Sequence, residues 1–451
     1  MGKAKIGSSG FNSEKALRWL VYIFTFAWWL KWGVIPNSDS ISYDNMWAMR
    51  TMGYPVFIKF TTLFGLIQSH FPTLLIALLM QLFAVHTLVN FLKLHFNLKT
   101  GVVILLTTIF LLPNFIYFIA NTNMSECICY PLYLFAIYLL LRSLFEKSER
   151  VAFAFLFIVA LLVLVRQQFL FCDIVSFFLI LYLVRYSDHK LKSAIRLGIF
   201  FLISIFCTLI MDRTYHFIKH QGFEPTQATG MQLIVPATFI MQPGDSILFK
   251  DPIERGMFDT ASIILKMDTI YNYKFRFLNS SENLLVKYTN IYNTLEWTGE
   301  VHYLCGIIYK KRPSYKNFDF GLNLKLSSQN NVWLIVNKLT TPFALKLIKA
   351  HPMKYIVLYL GLVKAGLGDW LFVVFFFGIF IFSVTRFFKD GNNKMAILLS
   401  LACLFVVLNL LLICTLEAPW ERYIFYTNYF LFAALTIPVA KWLEKKDAIE
   451  H

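Results

Sequence analysis

The feature that constrains this chain most is a recurrence of apolar blocks, each about 20 residues long and set apart by short polar stretches. A hydrocarbon core of roughly 30 Å is crossed by about 20 helical residues, so each block predicts a span. Of the 451 residues, 58% are hydrophobic and only 15% charged, too little polar surface to keep a water-soluble domain of that size dispersed. The expected fold is an all-α polytopic membrane protein.

The blocks fall near 17–35, 71–92, 101–120, 125–143, 151–166, 168–185, 195–213, 370–387, 393–414 and 422–441, which makes about ten spans. The fifth and sixth meet at Arg166, Gln167 and Gln168 and read as a tight helical hairpin. Positive charge collects on one side when the chain is threaded this way: Lys93 and Lys99, Arg142, Lys147 and Arg150, Arg185 to Arg196, Arg386 to Lys394, and Lys441 to Lys446. The short loops 113–124, 166–168 and 415–421 on the other side hold Arg166 alone. That bias predicts cytoplasmic termini. An N-terminal module, 1–213, then carries a first outer loop, 36–70; a large outer loop occupies 214–369; and a C-terminal membrane module covers 370–451.

The formal net charge of +16 does not imply a nucleic-acid partner, because Lys and Arg lie between the apolar blocks and form no single basic stripe. Five of the seven Cys sit inside apolar blocks, with Cys127 at the mouth of one and Cys305 in the long loop, so no disulfide framework or CxxC metal pattern is visible. Lys3, Lys5, Lys15 and Arg18 precede the first apolar run as in a signal peptide, but no small-x-small cleavage site follows, and the run reads as an uncleaved span.

The first outer loop mixes polar and apolar residues from Asp39 to Lys59, as helices lying in the membrane interface do. The long outer loop, with Pro225, Pro236, Pro243, Pro252 and Pro313, reads as a mainly helical small domain. Acidic residues on the outer side are few: Asp39, Asp44, Glu126, Glu417 and Glu421 stand at membrane boundaries, where a carboxylate is costly unless paired, hydrated or used.

The run Asn37-Ser38-Asp39-Ser40-Ile41-Ser42-Tyr43-Asp44, followed by Gly53-Tyr54-Pro55, resembles the first outer loop of the membrane glycosyltransferases of the GT-C fold. Met124-Ser125-Glu126, Arg166-Gln167, His351-Pro352 with Tyr355, and Glu421-Arg422-Tyr423 follow in matching order. The resemblance covers most of the membrane part and almost none of the long outer loop. It implies transfer of a hexosyl or pentosyl group, with inversion, from a polyprenyl-phosphate carrier on the outer face. The acceptor would be a lipid-linked or cell-surface glycan; the Phe-, Lys- and Asn-rich composition and the compact length lean towards a bacterial inner-membrane enzyme decorating lipopolysaccharide, O antigen or a similar polymer.

Such a reaction needs a base for the acceptor hydroxyl, and Asp39 is the expected one. The leaving phosphate needs cationic donors, for which the planar fork of arginine is suited, and Arg166 and Arg422 are the outer candidates. Asp44, Glu126 or Glu417 could assist, or hold a divalent cation such as Mg or Mn through oxygen ligands, although no spacing demonstrates a metal site. Tyr43, Tyr54, Gln167, Glu417 and Tyr423 complete the expected substrate contacts.

His216 and His220 share a helix face, but Phe217 stands where HExxH needs its Glu. With His302 and His351 they are expected to be solvated or to end helices. Gly366-Leu367-Gly368-Asp369 is expected to bend the chain into the membrane, while Lys311-Arg312 and Lys346, Lys349 and Lys354 suit lipid headgroups, an anionic acceptor glycan or a solvated face. Two rivals remain open. An O-antigen polymerase or ligase would rely on Arg- and His-bearing loops, and a flippase or transporter would show repeated halves and broken, charged spans at the midplane.

Overall fold

The computed structural model describes residues 9–37, 39–46, 50–63, 66–67, 69–220, 223, 225–226, 229–267, 284–290, 326–368, 370–390 and 392–450. Within them the chain is helical throughout, and the only extended pairing is an isolated bridge between Ile35 and Thr122. The N-terminal half runs α1 (Ser9–Trp32), α2 (Ser40–Asp44), α3 (Gly53–Thr61), α4 (Phe71–Phe96), α5 (Thr100–Leu111), α6 (Pro113–Ile116), α7 (Glu126–Glu146), α8 (Glu149–Val165), α9 (Phe171–Tyr186) and α10 (Lys190–His220). There follow α11 (Thr229–Ile240), α12 (Pro252–Met267), α13 (Leu326–Ala350), α14 (Pro352–Leu367), α15 (Trp370–Lys389), α16 (Lys394–Ile413) and α17 (Glu421–Glu450).

Among the described residues, six helices are long and apolar enough to cross a membrane: Phe71–Phe96, Glu126–Glu146, Gln167–Tyr186, Lys190–His220, Lys394–Ile413 and Glu421–Lys446. A seventh arises if Pro352–Leu367 and Phe372–Phe387, bent by 85° against each other, count as one span. The chain is therefore a multi-pass helical membrane protein. Three of the expected spans are marginal on the same measure, each for its own reason. α1 carries Glu14, Lys15, Arg18 and Lys31 within its 24 residues, α8 is 17 residues long, and α5 stops short at Leu111, with Pro113 opening the separate turn α6.

Short turns force neighbouring helices to run antiparallel. Between α7 and α8, Lys147 adopts the left-handed conformation that ends a helix, and the Ser148 hydroxyl caps the next by accepting from the Val151 amide. Asn97 and Asn393 end and begin their helices in the same two ways. One apolar core then unites α4, α5, α7, α8, α9, α16 and α17, with Leu78, Phe110, Tyr133, Phe155, Phe405 and Tyr426 among its buried side chains.

The turns alternate between two ends. At one of them, the basic end, Lys394 reaches His95, Lys147 reaches Asn392 and Lys441 reaches the Asn97 carbonyl, each at 3.0 Å. There too Glu14 receives Lys93 on both oxygens, at 2.7 and 2.8 Å, while buried Arg18 bonds Asn90 and Tyr22. This network pins α1 to α4, so replacing Glu14 by Ala should cost about 2 kcal/mol, because it takes the carboxylate from a partly buried ammonium. Thermal unfolding in detergent checks this: the loss should shrink when Lys93 is changed to Met in the same chain, and an undiminished loss would show that the pair is not its source.

The described part of the long loop has a core of its own. Ile234 and Val235 of α11, Phe249, Phe258 of α12, Tyr288 in the helical segment 284–290, and Phe343 of α13 pack together and onto Leu358 and Leu362 of α14, with Cys414 and Ala418 beneath. These described segments are helical and rest on the turn before α17. The predicted bend at 366–369 also appears: Gly368 has φ +95°, a conformation that side chains oppose, and a Cβ on Gly366 would lie 2.4 Å from Leu410. His302, Cys305, Lys311, Arg312, Pro313 and Asp369 lie outside the described residues.

Candidate functional site

The other end of the bundle gathers the first loop, the 117–125 turn, the α8–α9 turn and the start of α17. Backbone contacts weld these pieces. The indole of Trp29 donates to the Ala120 carbonyl at 2.7 Å, Ile35 N–H donates to Asn121, and the Asn121 amide donates back to the carbonyls of Trp29 and Gly33. On this base sit α2 and α3: Ser40 donates to the Asn123 carbonyl and Tyr54 to the Asn123 side chain at 2.6 Å.

The Gly-Tyr-Pro turn has a steric purpose. A Cβ on Gly53 would lie 2.7 Å from backbone atoms of Leu164 and Val165, so only glycine lets α3 approach the end of α8 this closely. Thr51 adds a 2.7 Å bond to the Val165 carbonyl. The next residue, Arg166, leaves the helix in an extended conformation, and its side chain meets Ser125 and Glu126 at the start of α7.

What results is a closed circuit of polar contacts. Asp39 Oδ1 accepts from Arg50 Nη2 at 2.8 Å, and Arg50 also donates to Ser42 at 2.7 Å and to the Tyr43 hydroxyl at 3.3 Å. Tyr43 meets Ser125 at 3.0 Å; Ser125 donates to Glu126 and accepts from Arg166, which is ion-paired with Glu126. Arg166 and Arg422 each lie 4.8 Å from the centre of the Tyr423 ring, and Arg422 donates to the Tyr423 hydroxyl at 2.7 Å. Arg422 closes the circuit on Asp39 Oδ2 at 3.5 Å.

Three guanidiniums and two carboxylates make up this circuit, and the Glu417 carboxylate lies close enough to act on Tyr423 as well. Burial opposes the charge on Arg50 and Arg166, but Tyr43 and Asp39 around the first, and Glu126 beside the second, hold both more firmly protonated than a free arginine. Burial likewise keeps Tyr43 and Tyr54 as neutral phenols. Part-buried guanidiniums of this kind suit an anion whose oxygens can meet the planar forks.

Of the residues named from sequence, Asp39, Tyr43, Glu126, Arg166, Arg422 and Tyr423 belong to the circuit, and Tyr54 braces it. Asp44 stands at its edge, 3.4 Å from the Asn123 amide and 3.2 Å from His70. Glu417 instead accepts from Gln232 of α11 at 3.0 Å. At the hairpin, Gln168 rather than Gln167 makes the contacts, donating to Asn409 at 3.0 Å and to the Tyr423 carbonyl at 2.6 Å. Arg50 and Ser125 were missed as site residues; a lone arginine six residues beyond Asp44 was the available signal.

Among the described residues no three His, Cys, Asp or Glu side chains converge as metal ligands, and the acidic candidates Asp44, Glu126 and Glu417 point to separate partners. One histidine differs from expectation: His216 is buried beside Asp212 and Thr226 rather than solvated. His351 ends a helix as expected, standing at the start of α14, where it meets both oxygens of Asp245 at 2.8 and 2.9 Å. Lys346 pairs with Glu254, while Lys349 and Lys354 are exposed. The described cysteines are all free and, Cys207 excepted, buried.

Arg166 is tied to folding as well as to the site. Replacing it by Met strands Glu126, which is 7% exposed, and should cost about 3 kcal/mol. Adding Glu126→Gln should return much of that loss, measured as thermal unfolding; a double variant no more stable than Arg166→Met would show that the pair is not what the substitution breaks.

No family profile, curated protein or solved structure matches this chain. The fold and the site define a multi-pass helical membrane protein with a cationic, carboxylate-bearing cluster at one end of its bundle.

Proposed function

We propose that the protein is an inverting glycosyltransferase of the GT-C type. In this reading it moves a sugar from a polyprenyl-phosphate carrier to a lipid-linked or cell-surface glycan. The observation that carries it is the circuit itself: Asp39 lies against Arg50 and Arg422, with Arg166 across the Tyr423 ring, where membrane helices end. Asp39 takes the proton from an acceptor hydroxyl, whose oxygen bonds to the anomeric carbon as the bond to the phosphate oxygen breaks. Arg166 and Arg422 receive the charge that gathers on the departing lipid phosphate.

The basic end of the bundle faces the cytoplasm in this proposal, because positively charged loops are retained there. The circuit then meets the outer leaflet of a bacterial inner membrane, where a lipid carrier presents its headgroup. Tyr43, Tyr54 and Tyr423 are buried at the same end, where they brace the charged groups around a bound sugar phosphate.

The test is reconstitution of the purified chain in lipid vesicles with labelled undecaprenyl-phosphate sugars and a glycolipid acceptor. Released undecaprenyl phosphate together with a labelled acceptor is the expected result. If label stays on the carrier for every sugar, or crosses the bilayer still attached to it, the protein is not such an enzyme, and the second outcome makes it a transporter.

A further inference from the structure

The two arginines that hold Asp39 are not held alike. Arg50 uses its whole fork: Nε on Ser42, Nη1 on Tyr43 and Nη2 on Asp39 Oδ1 at 2.8 Å. Arg422 has a short bond only to Tyr423; its contact with Asp39 Oδ2 is long, at 3.5 Å, and its side chain is 41% exposed, against 19% for Asp39. One carboxylate oxygen is therefore fixed, while the other is covered by a loosely bound, solvent-accessible cation.

A carboxylate and a phosphate offer the same paired oxygens to a guanidinium, so an arriving phosphate competes with Oδ2 for Arg422. We propose that Asp39 is an internal competitor for the anion: the ligand's phosphate draws Arg422 off Oδ2, and binding of that phosphate uncovers the carboxylate. Arg50 meanwhile keeps Oδ1 in place. On the glycosyltransferase reading, the consequence is ordered binding, with the lipid-phosphate donor entering before the acceptor hydroxyl finds its base. The exchange itself does not depend on that reading.

The experiment measures binding of undecaprenyl phosphate, and separately of inorganic phosphate, to the full chain in detergent. Removing a competing carboxylate should tighten binding, so Asp39→Asn, and equally Asp39→Ser should the first fold poorly, is expected to bind about fivefold more tightly than wild type. Arg422→Gln should bind more weakly, and adding Asp39→Asn to it should bring no further gain, because the two act through one contact. A gain shared by inorganic phosphate puts recognition on the phosphate group alone; a gain confined to the lipid form assigns a membrane-borne ligand, and either supports the exchange.

Unchanged or weaker binding in both Asp39 variants overturns it, as does a gain that persists undiminished without Arg422. Sugar transfer on the same samples keeps the two claims apart. Tighter binding with normal transfer would retain the exchange and remove Asp39 as the base.

Discussion

Asp39→Asn should reduce sugar transfer about a thousandfold, the middle of the range for losing a positioned general base. Asparagine has the same shape, and its carbonyl oxygen still accepts from Arg50, so the first loop keeps its place. What disappears is a proton acceptor at the point where the acceptor hydroxyl must be deprotonated. Thermal unfolding should change little, since Asp39 is part-exposed and such ion pairs contribute about 1 kcal/mol or less. Initial rates at saturating donor decide the matter: a rate within tenfold of wild type, from protein of normal stability, would take the base assignment away from Asp39.

Gly53→Ala is expected to have the largest effect on the fold. The added methyl would stand 2.7 Å from the Leu164 carbonyl carbon and oxygen and from the Val165 nitrogen. Those are backbone atoms at the end of a helix and cannot swing aside as a side-chain tip would. Relief must come from moving α3 away from α8, at about 3 kcal/mol or more, the upper part of the range for overpacking. The movement would pull Thr51 from the Val165 carbonyl and Tyr54 from Asn123, and Arg166 follows directly after Val165. Unfolding temperature and transfer rate should therefore fall together. Gly101→Ala, at a site with nothing within 4 Å, is the control that should leave both unchanged; a Gly53 variant as stable as that control would show that α3 is not seated on α8.

Much of the site was legible because chemistry restricts where its residues can stand. A carboxylate or guanidinium beside a membrane needs a partner, so the few charged residues at block ends on the less basic side were already candidates. Asp39, Glu126, Arg166 and Arg422, far apart in the chain, meet in one circuit. Arg50 escaped notice because the reading of the first loop centred on its carboxylates and on the Gly-Tyr-Pro turn. The choice between Gln167 and Gln168 was out of reach for another reason. It turns on the phase of a short 3-10 turn, Gln167–Leu170, which one residue more or less would reverse.

The span count shows the same division. Apolar block length is a property of the chain, and it located each of the six helices long and apolar enough to cross a membrane. Whether α1, α5 and α8 cross as regular spans depends on things block length does not record: charged residues within α1 that pair with α4, a break at Pro113, and a 17-residue helix whose end is met by α3.

By itself the sequence determined that this protein is a bundle of membrane helices with its positive charge gathered at one end, because apolar blocks of that length satisfy their backbone in hydrocarbon as helices and positively charged turns collect on one side. Only the tertiary structure decided that three arginines and two carboxylates close a circuit, and which oxygen of Asp39 is firmly held. Those facts rest on helix ends brought within hydrogen-bond reach by close packing, a matter of ångströms between segments hundreds of residues apart.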